Sequence, residues 1–164
     1  MPAKTRKIAA SAYESGLLDE INCRLLEELQ NDARLSMAEL GRRVSLSAPA
    51  VAERVQRLED AGVITGYRVE VDPRAIGFPI GVIVRVRPNA RQLHKIPDVA
   101  RAIPEVVECH RITGEDCFSI QLHLRSIDDL EAIIDQFLPY GRTTTSIMQS
   151  APIPRRPLPL GDSV

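Results

Sequence analysis

The chain has 164 residues, enough for one medium-sized domain or two small ones. Its hydrophobic fraction of 44% is ordinary for a globular protein, and no apolar run approaches the roughly 18 residues of a membrane-spanning helix. The net charge of −1 is spread evenly along the chain and excludes a nonspecific nucleic-acid coat, so any basic surface must be local.

Residues 1–16 read as a flexible tail. They include three early basic residues but no sustained apolar stretch, which argues against a secretory signal. The three cysteines are odd in number and irregularly spaced, which is typical of a reducing compartment rather than of a disulfide framework. We therefore expect a cytoplasmic protein, without a membrane partner and without a cofactor.

Residues 17–71 predict a compact unit built on three helices. The first helix, within Leu18–Gln30, has an apolar stripe that other helices can cover. The second begins at Ser36, which forms a capping box with Glu39, each side chain satisfying a donor at the helix N-terminus. The third begins after Ser47 and stops at Gly62. Two short helices about four residues apart are typical of a helix-turn-helix, whose second helix enters the DNA major groove.

The second helix of this motif supplies the candidate DNA contacts. Arg54, Gln56 and Arg57 are predicted on its exposed side, where their donors reach phosphates or base edges. Small residues keep its N-terminus slim enough to approach a groove. The predicted DNA-binding residues are Arg43, Ser47, Ala48, Pro49, Ala50, Arg54, Gln56 and Arg57.

The residues after Gly62 predict a wing and then a hinge. The run VITGYRVEVD favours a strand pair around a Thr65-Gly66 turn, which is the short wing of a winged helix. Residues 72–79, DPRAIGFP, contain two prolines and a glycine, which favours an interdomain hinge.

Residues 80–151 change to a two-residue hydrophobic period and predict the order strand, helix, strand, strand, helix, strand. That order indicates a ferredoxin-like βαββαβ domain, an antiparallel sheet with both helices on one face. The strands look too apolar to leave the other face in water, so we expect the domain to pair with a second copy as a homodimer. Residues 152–164 form a proline-rich tail. The expected class is α+β: a winged helix-turn-helix followed by a ferredoxin-like domain.

This arrangement resembles the Lrp/AsnC, or feast/famine, transcription regulators. The resemblance covers Leu18 to about Ala151 and is most specific in LDEINCRLLEELQNDARLSMAELGRRVSLS, RVQRLEDAGVITGY and ECHRITGEDCF. It implies a sequence-specific DNA-binding regulator that forms dimers or larger, often octameric, assemblies. It also implies a C-terminal module that senses an amino acid or similar small metabolite.

In that family the effector lies between dimers, against a hairpin and the last strand. The matching positions here are Thr113, Gly114, Glu115, Asp116, Cys117, Phe118, Thr143 and Thr145. Loop N–H groups can hold a carboxylate, and a side-chain carboxylate can hold the ammonium. The family's loop carries an Asp where this chain has Cys117. Asp116 or Glu115 is then the substitute, or the pocket takes another ligand or none.

Three other interpretations have less support in the sequence. Six residues of strand, roughly 20 Å, separate Cys117 from His123, which excludes a shared metal ion within one protomer. Some relatives with this architecture are sirohaem decarboxylases, for which His110 and Arg111 are the candidate catalytic pair. A metabolite-binding module without DNA affinity is supported by Glu53 beside Arg54 and by the absence of net positive charge. We expect no catalytic and no metal-binding residues.

Overall fold

The computed structural model describes residues 16–160, which contain five α-helices and one four-stranded sheet. Contacts divide the described chain into two compact units, 16–69 with 155–160 and 70–154. Within 16–160 no helix is both long and apolar enough to cross a membrane. The helices are α1 (Glu20–Asn31), α2 (Met37–Val44), α3 (Ala48–Asp60), α4 (Ile96–Ala102) and α5 (Asp129–Asp135). The strands are β1 (Ile80–Pro88), β2 (Val106–Arg111), β3 (Phe118–Leu124) and β4 (Gly141–Ile147).

The predicted helix starts in the first unit are confirmed by their caps. The Ser36 hydroxyl accepts the Glu39 N–H at 3.1 Å, and the Ser47 hydroxyl accepts the Ala50 N–H at 3.4 Å. Of the two contacts in the predicted capping box, the structure shows the one made by Ser36. The Glu39 carboxylate instead pairs with Arg42 and Arg43.

The turn between α2 and α3 depends on a glycine. A Cβ on the buried Gly41 would lie 2.4 Å from the Leu46 carbonyl oxygen, which is backbone and cannot rotate away. The Leu46 N–H donates to the Gly41 carbonyl at 2.9 Å, and Ser45 adopts a left-handed conformation with φ 59°. Only glycine at position 41 lets the chain turn this closely.

Three helices close one small core in the first unit. The predicted α1 stripe is confirmed, because Leu25, Leu26 and Leu29 are buried while Ile21 is half-buried. The core cluster consists of Leu25, Leu29, Leu40, Val44, Val51 and Val55.

The predicted wing is wrong. Residues 63–72 contain no strand, and Val69 is 88% exposed. Gly62, with φ 73°, ends α3 as expected, but the β-branched residues beyond it find no partner strand. The Tyr67 hydroxyl donates instead to the Glu59 carboxylate at 2.9 Å, which ties this segment to α3. The first unit is therefore a helix-turn-helix without a β-wing.

The second unit has the predicted βαββαβ order. Its strands lie in the order β2-β3-β1-β4, and every neighbouring pair is antiparallel. A short 3-10 helix at Leu93–Lys95 precedes α4, so Pro97 falls in the first turn of that helix. The α5 helix begins at Asp129, and the Ser126 hydroxyl accepts the Asp128 N–H just before it.

One face of the sheet carries the core. Val82, Val84 and Val86 of β1 are fully buried, and alternate residues of β3 share their face. This face packs against α4 and the end of α5 through Ile96 and Phe137. Phe137 is the largest side chain among the fully buried residues.

The other face is mostly polar, which corrects the expectation of a bare apolar surface. Strand register places Arg85 beside Ser119 and Thr144, and Arg87 beside Arg142. Ile83 is the largest aliphatic residue among the described residues of this face and is only half-exposed. Nearly all apolar residues of the strands point to the helices, so the apolar content of a whole strand does not predict the character of each face. The face is formed by Gly81, Ile83, Arg85, Arg87, Glu108, His110, Ser119, Gln121, His123, Arg142, Thr144 and Ser146.

Candidate functional site

The exposed face of α3 is the first candidate site. Burial of Val51, Val55 and Leu58 against the core directs the opposite side of the helix to solvent. Among the predicted DNA-binding residues, Ser47, Pro49, Gln56 and Arg57 are exposed, while Ala48 and Ala50 are half-buried. The exposed residues of α3 are Pro49, Ala52, Glu53, Gln56, Arg57 and Asp60.

Arg54 differs from the prediction, because it does not lie on this exposed face. Its guanidinium donates to the Asp19 carboxylate at 2.6 Å and to the Asn22 side-chain oxygen at 3.0 Å. Asn22 is 5% exposed and donates in turn to the Leu17 carbonyl at 2.7 Å. Arg54 therefore ties α3 to the start of α1.

The pKa of Asp19 reflects this cluster. Burial acts to raise the pKa, but hydrogen bonds from the Arg54 guanidinium and the Asn22 N–H outweigh it, and the net pKa lies below its ordinary value. Asp19 also caps α1 through the same Asn22 N–H, at 2.7 Å. One carboxylate thus fixes both the start of α1 and the position of α3.

The donors on the exposed face of α3 are paired with acids of the same helix. Arg57 donates to Glu53 at 2.5 Å, and Gln56 donates to Asp60 at 3.0 Å. Each pair spans one helical turn. Both predicted DNA-contacting side chains are thus hydrogen-bonded to carboxylates of α3.

Arg43, at the end of α2, is paired in the same way. It contacts the Glu28 carboxylate at 2.5 Å and the Glu39 carboxylate at 3.3 Å, and these hydrogen bonds raise its pKa. Hydrogen bonds from Arg42 and Arg43 hold the pKa of Glu39 below its ordinary value. Arg43 is still 41% exposed, so it can reach a phosphate without unfolding α2.

The β2–β3 hairpin is the second candidate site. Gly114 has φ 113°, which an L side chain rarely adopts, and the Ile112 N–H closes the loop on the Cys117 carbonyl at 2.9 Å. Thr113, Gly114 and Glu115 are exposed, while Asp116 and Cys117 are half-buried. Phe118 is 3% exposed and belongs to the core.

The structure does not bring the two halves of the predicted effector site together in one chain. Glu115 pairs with Arg87 at 3.4 Å and Asp116 with Arg85 at 3.8 Å, on the polar face of the sheet. Thr143 and Thr145 pair with Val86 and Val84, and so belong to the helix-covered face. A pocket that uses both sets needs residues from a second copy.

A groove between α4 and β2 reaches Phe118 from the helix side. Its volume is about 590 Å³, within the range of small-molecule sites, but it does not include the hairpin loop or β4. It is lined by Leu93, His94, Pro97, Ala100, Arg101, Ile103, Val106, Val107, Glu108, Cys109, Arg111 and Phe118.

The candidate catalytic pair does not converge. His110 bonds the Glu108 carboxylate at 2.9 Å on the polar face, whereas Arg111 pairs with Phe118 on the helix side. Adjacent strand residues point to opposite faces, so the two side chains cannot act on one substrate within a protomer. Between residues 16 and 160 no three potential metal ligands come together.

Comparisons with known proteins agree with this two-part architecture. Residues 18–59 match the AsnC-type helix-turn-helix domain, and residues 81–158 match the Lrp/AsnC ligand binding domain. The chain is 36% identical to the HTH-type transcriptional regulator LrpC of Bacillus subtilis, over 81% of this chain and 92% of LrpC. The chain belongs to the Lrp/AsnC family. LrpA of Mycobacterium tuberculosis is 33% identical, over 79% of this chain and 85% of that protein.

Solved structures of the Lrp/AsnC family have the same fold. The structure of Bacillus subtilis LrpC superposes with a TM-score of 0.77, covering 81% of this chain and 95% of LrpC. A transcriptional regulator of Neisseria meningitidis, solved with L-Met, superposes with a TM-score of 0.78, covering 85% of this chain and 94% of that chain. Its sequence identity of 24% means that this likeness shows the fold alone. Because its relatives are named transcriptional regulators, this Lrp/AsnC chain is a regulator and not a decarboxylase.

Two features of the helix-turn-helix unit were not predicted from the sequence. Glu53 lies in the middle of the exposed face of α3, and helical spacing from Val51 and Val55 was the available signal. The contact between Asp19 and Arg54 spans 35 residues, and no local pattern indicates it.

Proposed function

We propose that this regulator binds double-stranded DNA by placing the exposed face of α3 in the major groove. The observation that carries the proposal is a slim N-terminus at Pro49, followed one and two turns later by exposed polar side chains. Helix-turn-helix proteins meet base edges with the N-terminal part of this helix.

Each predicted contact has a physical role in this proposal. Ser47 and Arg43 contact phosphates, and Ala48, Pro49 and Ala50 allow close approach to the groove. Gln56 exchanges its Asp60 partner for DNA, whereas Arg57 contacts DNA with the guanidinium donors that Glu53 leaves unoccupied. Arg54 contributes to DNA binding indirectly. Its guanidinium donates to Asp19 and Asn22 and so holds α3 in position.

We also propose a homodimer acting in the cytoplasm on a DNA site with approximate two-fold symmetry. Two copies of α3 then occupy two half-sites one helical turn of DNA or a multiple of it apart. The polar face of the sheet, if it forms the dimer contact, does so through hydrogen bonds and ion pairs. We therefore expect the dimer to weaken as salt rises.

The effector proposed for the ligand binding domain is an amino acid or a similar small metabolite. The Neisseria meningitidis structure contains L-Met, which makes L-methionine a sensible first member of a test panel. The hairpin N–H groups suit a carboxylate, and Asp116 suits an ammonium if it releases Arg85. Thr143 and Thr145 come from a second copy, so ligand binding and assembly are coupled.

Binding to the DNA upstream of its own gene tests the DNA proposal. Arg57→Ala removes an exposed cation from α3 and should weaken binding and lower the salt dependence of log Kd. Arg91→Ala, an exposed arginine of the other unit, makes the same charge change and should leave the affinity unchanged. Equal loss in both variants contradicts a specific role for α3.

Analytical ultracentrifugation with and without a panel of amino acids tests the effector proposal. A true effector changes both the sedimenting species and the DNA affinity, and Asp116→Ala removes both responses. Asp98→Ala, an exposed carboxylate on α4, should retain them. A ligand response that survives Asp116→Ala places the binding site elsewhere, with the α4–β2 groove as the next candidate.

A further inference from the structure

Resting on the proposed DNA-binding function, we infer that Glu53 is a specificity-determining residue that selects a cytosine in the major groove. Arg57 then selects a guanine of the adjacent base pair. Both residues act as one unit on the exposed face of α3.

The position of Glu53 is central to that face. It lies opposite the buried Val51, Val55 and Leu58, one turn after Pro49, and its side chain is 65% exposed. It also falls in the second turn of α3, the part of a recognition helix that meets base edges. A helix placed in the groove through Pro49 brings the Glu53 carboxylate to the bases.

The charge of Glu53 decides which bases it can accept. A carboxylate is repelled by phosphates, and in the major groove it can accept only from base amino groups. Adenine places its N7 acceptor beside its amino group, and that acceptor repels a carboxylate. Cytosine offers an N4 amino group with no acceptor of its own beside it, so it is the favoured partner.

The ion pair with Arg57 extends the contact. The guanidinium lies 2.5 Å from the Glu53 carboxylate, one turn further along α3. One helical turn rises 5.4 Å, whereas stacked base pairs are about 3.4 Å apart, so both side chains reach one base-pair step. Arginine donates two hydrogen bonds to the O6 and N7 atoms of guanine, and the Glu53 carboxylate orients it for them.

The ion pair between Glu53 and Arg57 contributes little to the free energy of folding. Its side chains are 65% and 67% exposed, and exposed pairs of this kind contribute little to stability. Replacing Glu53 should therefore leave the helix-turn-helix folded. A change in DNA preference can then be assigned to the groove contact.

Selection of DNA sites from a random pool by the full-length protein tests this inference. Wild type should enrich a site with a fixed cytosine and a guanine in the adjacent base pair. Glu53→Gln should change the cytosine to adenine, because glutamine bonds adenine N6 and N7. Glu53→Ala should lose about tenfold discrimination at that position and bind random DNA more tightly.

Glu27→Gln serves as the matched control, since it removes one exposed carboxylate from α1. It should reproduce the wild-type site. If Glu53→Gln also selects the wild-type site, Glu53 does not read a base, while the DNA-binding function stands. If wild type enriches no sequence at all, the proposed function fails together with this inference.

Discussion

The two units of the chain are stabilised in different ways. The sheet unit buries twelve core residues, including two phenylalanines and four residues of β3, and its strands are paired along most of their length. The helix-turn-helix unit has a core cluster of six aliphatic residues and no aromatic one, and it adds the polar tie between Asp19, Asn22 and Arg54. We infer that the sheet unit depends on apolar volume, whereas the DNA-binding unit depends on a few individual contacts.

The largest effect is expected from Phe137→Ala in the sheet unit. This side chain is fully buried, and its removal should cost about 4 kcal/mol through lost burial and a cavity. Hydrogen exchange should show lost protection in residues 80–147 and unchanged protection in residues 20–60. Leu138→Ala is the control. The Leu138 side chain is next to Phe137 in the sequence but is 51% exposed, so its removal should cost far less stability.

Gly41→Ala should destabilise the helix-turn-helix unit. The added methyl group meets the Leu46 carbonyl oxygen at 2.4 Å, and we expect a loss of about 3 kcal/mol from forced backbone movement. Hydrogen exchange should now report lost protection in α2 and α3 while the sheet is unchanged. Ala38→Ser, exposed on the same helix, should change stability by less than about 0.5 kcal/mol. Equal effects of both substitutions contradict the close approach at Gly41.

Arg54→Ala and Arg57→Ala separate a positioning residue from a contact residue. Arg54 is 30% exposed and bonds Asp19 and Asn22, so its loss should destabilise the first unit by about 1 kcal/mol. Its loss should also weaken DNA binding without changing the salt dependence. Arg57→Ala should change stability by less than about 0.5 kcal/mol and should reduce the salt dependence. Denaturation and DNA titrations at several salt concentrations distinguish the two.

The smallest effect concerns Tyr67. Burial first, and then its hydrogen bond to Glu59, raise the pKa of Tyr67 from 10.0 to about 12. A raised pKa favours the neutral phenol in the folded state, so its stabilising contribution is complete below pH 10 and disappears as pH rises through about 12. Titration of the tyrosinate absorbance should show this late step, and Glu59→Gln should move it toward lower pH. A midpoint unaffected by Glu59→Gln contradicts the bond.

Much of the fold follows from local chemistry. Ser36 and Ser47 begin their helices, Gly62 ends α3, and the alternating Val82, Val84 and Val86 predict a buried strand face. The order of strands and helices then leaves few topologies to consider. These features depend on neighbours a few residues apart, which a sequence displays directly.

Features that need distant partners could not be predicted in this way. The residues around Tyr67 have strand propensity, but no second strand pairs with them, so the prediction of a wing was wrong. Arg54 lies at the border of the exposed face, and its partner Asp19 is 35 residues away. Arg85 and Arg87 alternate with the buried valines of β1, so the polar character of the open sheet face is visible in the sequence when the two faces are considered separately.

The carboxylates that occupy the arginines of the helix-turn-helix unit have a kinetic consequence. In the proposed complex with DNA, Arg43 must give up Glu28 or Glu39 before it holds a phosphate. An encounter with random DNA therefore gains little, and the protein leaves it quickly. A regulator built in this way spends less of its time on the many sites that do not match, and it reaches its own site sooner.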